Sequence, residues 1–408
     1  MSTETGHAII IGGSMAGLFA AIGLRSHGWK VDVYERSAGD LINRGAGIAT
    51  HHELYDALRK AGVALRDEMG VHSKGRIMFD VSGEVIGRLD MPQLMSSWGL
   101  IYRFLRQQLP DTDYHDGCSL KAIESGSDSV SAIFENGERA TGDWLIAGDG
   151  ARSSVRAIVA PAVESKYTGY VGWRGLIDES LIPAAVLTEF DCRMALGMAP
   201  GGHWLGYLVA GPDDALEPGQ RWFNWGWYRT ADDDTLRELL TDDEGTHYPH
   251  GIPHDRLRET LVERMRDEAH SYLAPQIRTV VDATRRPFIQ GMYDHGCTRF
   301  VYDRVVLIGD AACTARPHVG LGVSKAADDA STLAASLSGE TGAATLAEWE
   351  SRRVAYSQAI LEWGRRLGSY IGPAPETDAH RELAAYHQRP DVLMAQTAAI
   401  EPAQYIEL

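Results

Sequence analysis

Three stretches of the sequence predict an α/β fold, in which a doubly wound nucleotide-binding domain is interleaved with a β-rich domain and followed by C-terminal helices. The first is an apolar run, Ala8–Ile11, that passes through a glycine-rich turn into a helix and on to a second apolar run ending at Glu35. The second lies far downstream, where the β-branched run after Arg304 ends in Gly309-Asp310, turns through Arg316-Pro317-His318 and enters an Ala/Asp/Leu helix. The third is the aromatic, strand-rich stretch between them. One domain thus supplies two ends of a ligand site, and the other is inserted into it.

At 408 residues the chain exceeds one typical core, and its length suggests two or three domains. No repeat of 20–50 residues is visible. Lys and Arg total 39 against 56 Asp and Glu, and the net charge of -17 argues against nucleic acid or an anionic membrane as partner. The four cysteines (Cys118, Cys192, Cys297, Cys313) form neither a CxxC pair nor a cluster at metal-ligand spacing, so no disulfide framework and no metal site is expected. The first residues carry no basic stretch, and the apolar run at Ala8 is too short for a leader or a membrane span. A cytoplasmic protein is expected.

Element by element, Ala8–Ile11 reads as a buried strand and Gly12-Gly13-Ser14-Met15-Ala16-Gly17 as the turn into a helix with Leu18, Ala20, Ala21 and Leu24 inward. Gly28 closes that helix and Val31–Glu35 is the second strand. Small residues at such a turn let backbone amides reach a pyrophosphate, at a helix N-terminus that favours negative charge. Glu35 stands where an acid can take a ribose hydroxyl pair. Ser14 replaces the middle glycine of GxGxxG. This unit points to a dinucleotide and leaves FAD and NAD both open.

Strand signals run from Ile77 to Leu89, a Leu/Arg-rich helix covers Trp98–Leu109, and Ser129–Glu135 is a strand before the hairpin turn Asn136-Gly137. Trp144–Ala147 is a buried strand leading into Asp149-Gly150-Ala-Arg-Ser-Ser154-Val-Arg156, which suits a phosphate or ribose loop and equally an ordinary turn. Aromatic strands follow at Gly202–Val209 and Trp222–Arg229, with acidic runs near 232–234 and 242–244 that read as solvated loops. Arg256–Ala269 and Leu333–Tyr370 read as helices, and Pro373 and Pro375 break the last pattern before a tail of undefined structure. The expected nucleotide-binding domain comprises residues 1–75, 98–165 and 282–345. The β-rich domain comprises 76–97 and 166–281, and 346–408 is a C-terminal helical segment and tail. In the downstream segment, Asp310 can accept a hydrogen bond from a polyol chain, and Pro317–Gly322 brings backbone close to a flat ligand. The helix starting at Val323-Ser324-Lys325 favours an anion at its positive end by ~0.3–1 kcal/mol.

Together the three motifs resemble those of the group A flavoprotein aromatic monooxygenases, the para-hydroxybenzoate hydroxylase-like family, up to about residue 370. Arg316-Pro317-His318, Gly322, Lys325-Ala326 and Asp328-Asp329-Ala330, with Gly12-Gly13-Ser14 and Tyr170-Val-Gly-Trp173-Arg174-Gly175, look most like the 2,6-dihydroxypyridine 3-monooxygenase branch. The resemblance implies a Rossmann-like FAD-binding domain of the GR2 type, tightly bound FAD, and NAD(P)H as transient reductant. It further implies that one oxygen of O2 enters a hydroxylated aromatic ring, a hydroxypyridine before a phenol, through a flavin C4a-hydroperoxide. By position, Gly12, Ser14, Met15 and Gly17 fall on the pyrophosphate loop and Glu35 on the adenosine ribose, with Arg36 and Leu120 also counted as cofactor-binding. Arg44 falls beside the flavin and its mobile entrance, Arg103 on a phosphate or ribityl contact, Asp149 on the middle motif and Asp310 on the ribityl chain. The segment from Pro317 through Gly320, Gly322 and Val323 to Ser324 passes the isoalloxazine edge. Cys313 stands where many relatives carry His.

Such chemistry requires a closed apolar pocket. Trp173, Trp204, Tyr207, Trp222, Trp225, Trp227 and Tyr228 are its expected walls, with Trp204, Trp225 and Trp227 against the substrate. A base or acceptor for the ring hydroxyl would help the reaction. His203 and Tyr207 alternate onto one strand face, and with Pro317 and His318 they are the catalytic candidates. Against this, Tyr207 also reads as core, His203 as a strand-end surface residue and His318 as a loop-structuring one. Trp225-Gly-Trp227 differs from the Trp-x-Trp of flavin halogenases because Tyr228-Arg229 follows it. Two other classes compete, an NAD-dependent dehydrogenase using the N-terminal turn alone and a non-catalytic flavin-binding redox module. A homodimer is left open.

Overall fold

The computed structural model describes residues 5–39, 41, 47–63, 69–399 and 404. Ala8–Ile11 is buried on both faces, as a central parallel strand must be. It pairs in parallel with Lys30–Tyr34 on one side and Trp144–Ala147 on the other. The six-stranded sheet runs Val301–Tyr302, Val305–Leu307, Trp144–Ala147, His7–Ile11, Lys30–Tyr34, Tyr114–His115, and only its first pair is antiparallel. The strands of all three sequence motifs are therefore neighbours. The helix Met15–Ser26 and the downstream helix Gly322–Leu337 pack through small residues, with Gly23 against Ala334. A three-stranded meander (Leu120–Ser125, Val130–Phe134, Arg139–Gly142) carries the hairpin at Asn136-Gly137.

A nine-stranded mixed sheet forms the β-rich part, in the order Cys313–Thr314, Phe288–Gly296, Lys166–Asp178, Trp222–Thr230, Gly202–Val209, Met194–Ala199, Val71–Phe79, Val85–Ser97, Gly47–Ala49. It draws in Gly47–Ala49 and Phe288–Gly296, beyond the stretches from which the sequence builds the β-rich domain. Side-chain alternation gives it two distinct faces. On one, Trp173, Trp204, Phe223, Trp225 and Trp227 pack under the helices Glu259–Tyr272 and Pro275–Ala283. On the other, Met78, Tyr170, Leu205, Tyr207 and Tyr228 share a core with Met292, Leu393 and Met394.

This parity corrects one expectation. Trp204, Trp225 and Trp227, with Trp173, belong to the helix-covered core, and Trp225 donates its indole N–H to Thr284 Oγ1 at 2.8 Å there. Of the expected walls, Tyr207, Tyr228 and Trp222 are on the opposite face, with Tyr170 beside them.

The long C-terminal helix is two helices, Gly322–Leu337 and Leu346–Leu367, because Thr345 and Glu348 form a capping box that starts the second. The tail is structured as well. Thr377 caps the helix Asp378–His387, Pro390 opens Pro390–Gln396, and Leu393 and Met394 are buried against the nine-stranded sheet. No helix among the described residues is long and apolar enough to cross a membrane, and none of their His, Cys, Asp and Glu groups could hold a metal ion.

Candidate active site

A cavity of about 580 Å³ opens at the strand ends of the three motifs. Gly12, Ser14 and Met15 line it from the first turn, Glu35 and Arg36 from the end of the second strand, and Leu120 from the meander. Asp149, Asp310, Gly322 and Val323 complete it, together with Tyr34, Trp98, Cys118 and Ser119, which the sequence did not single out. Gly12 has φ +103° and no room for a side chain, since a Cβ would stand 2.6 Å from the Gly148 oxygen. Gly17 sits behind the cavity, where a methyl would overlap the Gly12 carbonyl oxygen. No side chain caps the helix Met15–Ser26. Its first amides are thus left for a ligand anion. Glu35 is held by the N–H groups of Gly13 and Ser37, each at 2.9 Å. Its oxygens keep lone pairs for a ribose diol.

Asp149 lines the cavity and also holds the start of the short helix Ser154–Val159, which Ser153 caps. It accepts from Ser153 Oγ at 2.5 Å, Ser154 Oγ at 3.2 Å and Val155 N at 3.2 Å. Burial pushes its carboxyl up, partly offset by those bonds. Burial also raises the Asp310 carboxyl, against the pull of Lys325. The Gly309-Asp310 turn is locked from behind by Asp329, which is 0% exposed. Asp329 accepts from Gly309 N at 2.9 Å, Lys325 Nζ at 2.8 Å and Arg353 Nε at 2.6 Å. Burial alone would raise the Asp329 carboxyl, but Lys325 and Arg353 hold it below the usual range. Arg156, which donates to the carbonyls of Ala311 (3.1 Å) and Ala151 (2.6 Å), ties the second motif to the third.

Three expected contacts sit elsewhere. Arg103 is ion-paired with Asp214 and does not line the cavity. Ser324 is buried within its helix, and Gly320, at φ +67°, closes the one-turn helix Pro317–Val319. Arg44 lies outside the described residues. Cys313 is buried, its thiol donating to the Ser357 carbonyl at 3.5 Å and pushed up to about 11 by burial. That is a structural thiol.

His318, just upstream of the cavity-lining Gly322, reaches the Tyr207 face of the nine-stranded sheet. Its Nε2 meets Tyr170 Oη at 2.9 Å and its ring lies 4.6 Å from Tyr228 and 5.4 Å from His203. His203 Nδ1 meets Tyr370 Oη at 2.6 Å. His318 Nδ1 and His203 Nε2 are buried and have no partner among the described residues. Burial pushes His203 down to about 3, and burial with nearby His203, Arg316 and Arg174 takes His318 well below 6.5. Both imidazoles are neutral at physiological pH, each with one nitrogen left without a partner among the described residues. Tyr207 lies on the same face beneath Gly47, whose Cβ would stand 2.7 Å from its ring. Tyr228 Oη accepts from Arg174 Nη2 at 3.0 Å. Tyr170, Arg174, Tyr228 and Tyr370 complete this cluster. Tyr228 is one of the walls expected from the sequence, whereas no local pattern marks Tyr370, which follows the long helix.

The donor set fits FAD. The cavity offers amides for an anion, Glu35 for a ribose and Asp310 for a polyol, and the segment that lines it at Gly322 and Val323 leads back to His318.

A family model described as FAD binding domain-like matches residues 167–294. The chain is 33% identical over 373 residues to 2,6-dihydroxypyridine 3-monooxygenase of Paenarthrobacter nicotinovorans, covering 91% of this chain and 93% of that one. The solved 2,6-dihydroxypyridine-3-hydroxylase from Arthrobacter nicotinovorans superposes with a TM-score of 0.84 at 32% identity, over 93% of this chain and 96% of that one. The fold, though not more, is shared with Klebsiella pneumoniae HpxO complexed with FAD and uric acid, at a TM-score of 0.72 and 22% identity over 96% and 97% of the two chains.

Proposed function

The chain belongs to the family of FAD-dependent aromatic-ring monooxygenases that includes 2,6-dihydroxypyridine 3-monooxygenase, and from that premise we propose that its own substrate is a hydroxylated pyridine, with a phenol as second choice. When bound, FAD supplies the reduction by NAD(P)H and the activation of O2 by which one oxygen atom enters the ring and the other leaves as water. The first-turn amides near Gly12, Ser14 and Met15 would hold its pyrophosphate, Glu35 its ribose and Asp310 its ribityl chain.

One observation carries the substrate reading. The segment 317–323 belongs at one end to the cofactor cavity, through Gly322 and Val323, and at the other to the buried cluster of His318, His203, Tyr170 and Tyr228. A ring seated on that cluster lies beside the cofactor, shut off from water. His318 and His203 are neutral and act as acceptors that orient or take the proton of a ring hydroxyl, which enriches the ring in electrons before oxygen transfer. Tyr170 and Tyr370 set which imidazole nitrogen faces the ring. Pro317 fixes the backbone of the turn that presents His318. The reading includes a cytoplasmic location, supported by four free thiols.

The test is NADH and NADPH oxidation by the FAD-loaded protein with a panel of hydroxypyridines, phenols and hydroxybenzoates, with product masses measured. A product one oxygen heavier from a hydroxypyridine is expected. Turnover confined to hydroxybenzoates, or reductant oxidation with no oxygenated product, overturns the substrate reading.

A further inference from the structure

The turn that carries His318 has little backbone bonding of its own. Val319 N–H donates to the Arg316 carbonyl at 3.4 Å and Gly320 N–H to the Pro317 carbonyl at 3.0 Å, and from outside Ala398 N–H donates to the His318 carbonyl at 2.9 Å. On one side the turn rests on the long helix Leu346–Leu367 and the residue after it. A Cβ on Gly364 would stand 3.2 Å from Arg316 N, and one on Gly368 would stand 3.1 Å from His318 Cδ2. Such a close-packed surface stops the turn from moving inward. It does not keep the turn from moving away.

That hold comes from Asp294, on the strand Phe288–Gly296 and 3% exposed. Its Oδ2 accepts from Arg316 Nε at 3.0 Å. Arg365 donates Nη2 to Oδ1 at 2.9 Å and Nε to Oδ2 at 3.3 Å. Arg365 belongs to the helix on which the turn rests, so one carboxylate joins the sheet, the helix end and the turn. Burial alone would raise this carboxyl, but Arg365 and Arg316 hold it below the usual range. Hydrogen bonds between ionised groups are the stronger kind. Held in this way, the Arg316 guanidinium lies 5.6 Å from the centre of the Tyr170 ring, and Tyr170 Oη meets His318 Nε2 at 2.9 Å. Asp294 thus bears on His318 twice, through the backbone two residues before it and through its phenol partner.

Resting on the role given to His318 above, we infer that Asp294 is a positioning residue for the oxygenation, acting through Arg316 to hold the His318 imidazole against the substrate ring. An acceptor helps only while it stays within hydrogen-bond reach of the ring hydroxyl. Misplacing it by about 1 Å costs about 100-fold in rate. An amide at position 294 accepts from one arginine through its oxygen and turns N–H groups toward the other. The turn then loses its hold with hardly any change of shape. A ring that is poorly activated leaves the reductant and O2 to react without it, NAD(P)H, H+ and O2 giving NAD(P)+ and H2O2 while the substrate is unchanged.

The experiment measures oxygenated product and hydrogen peroxide formed per NAD(P)H consumed, in the FAD-loaded protein with 2,6-dihydroxypyridine. The variants are Asp294→Asn, Arg316→Met, Arg316→Lys and the double variant Asp294→Asn with Arg316→Met. Asp294→Asn is expected to slow ring oxygenation by about 10- to 100-fold and to divert reductant into peroxide, with KM within about twofold of wild type. Arg316→Met should do the same, and Arg316→Lys, which keeps a cation for the carboxylate, should lose less. The double variant should lose no more than Arg316→Met alone, because the two residues act in series. Wild-type coupling in Asp294→Asn overturns the inference, even where its melting temperature falls, since the carboxylate would then be structural only. Losses that multiply in the double variant overturn it as well, because Asp294 would then act by another route. If Asp294→Asn sheds its flavin, intact coupling in Arg316→Met overturns it. Unimpaired coupling in His318→Leu, or a wild type that oxygenates no hydroxypyridine, instead removes the reading beneath, and the inference with it.

Discussion

Replacing Asp329 with asparagine should unfold the nucleotide-binding part of the molecule far more readily than any surface change. The carboxylate is 0% exposed and holds two buried cations, Lys325 and Arg353, as well as the Gly309 amide. Arg353 keeps a second partner in Asp328, but Lys325 is left with the Gly309 carbonyl at 2.9 Å as its one hydrogen-bond acceptor among the described residues. Breaking a buried pair from one side costs about 3–5 kcal/mol, because the remaining charge stays desolvated. For a cooperative unit of about 200 residues that corresponds to a fall in melting temperature of about 6–20 °C. The assay is thermal unfolding followed by the fluorescence of released flavin, which also reports whether the Asp310 turn still holds the cofactor. Adding Lys325→Met should restore a large part of the loss, since it removes the stranded charge. A single variant that melts within about 2 °C of wild type, equivalent to about 1 kcal/mol or less, would refute the reasoning.

Gly17→Ala should sharply reduce flavin retention, because its methyl collides with backbone that cannot move aside; the flavin-to-protein absorbance ratio after purification checks it, and an unchanged ratio contradicts it. Trp225→Phe removes the donor to Thr284 on the helix-covered face and should cost about 1 kcal/mol of stability while leaving KM alone. A large KM change would return Trp225 to the substrate wall. Stability should also fall with acidity. Burial lowers His203 to about 3 and His51 and His295 to about 4, so between those values and 6.5 the unfolded chain binds protons that the folded one does not. This contribution is nil above about pH 6.5 and destabilises as pH falls, by about 1.4 kcal/mol per histidine at one unit below, about 4 kcal/mol for the three near pH 5.5. Urea midpoints at pH 7.5 and 5.5 test it, and equal midpoints would contradict it.

The nucleotide-binding half was legible because its signals are local. A glycine that must accept φ +103°, an acid at the next strand end and a Gly-Asp strand end each carry their meaning within a few residues. The inserted sheet was legible only to its alternation. Period two shows that Trp204 and Trp225 oppose His203 and Tyr207, but not which face the helices Glu259–Tyr272 and Pro275–Ala283 will cover. Aromatic bulk in the sequence therefore reads as a substrate wall where Trp204, Trp225 and Trp227 are core. Arg103 shows the same limit, because its partner Asp214 is remote in sequence. The tail was obscured by Pro373 and Pro375, and its contacts with Arg76, Gln93 and His318 come from backbone groups of Ala398, which no side-chain pattern encodes.

The most direct test of the account is turnover of the FAD-loaded protein with a hydroxypyridine and NAD(P)H under isotopically heavy oxygen gas. The account predicts a ring product carrying one heavy oxygen atom, with reductant consumed in equal amount. A product whose new oxygen comes from water, or oxidation of the ring with no oxygen gained, would contradict it.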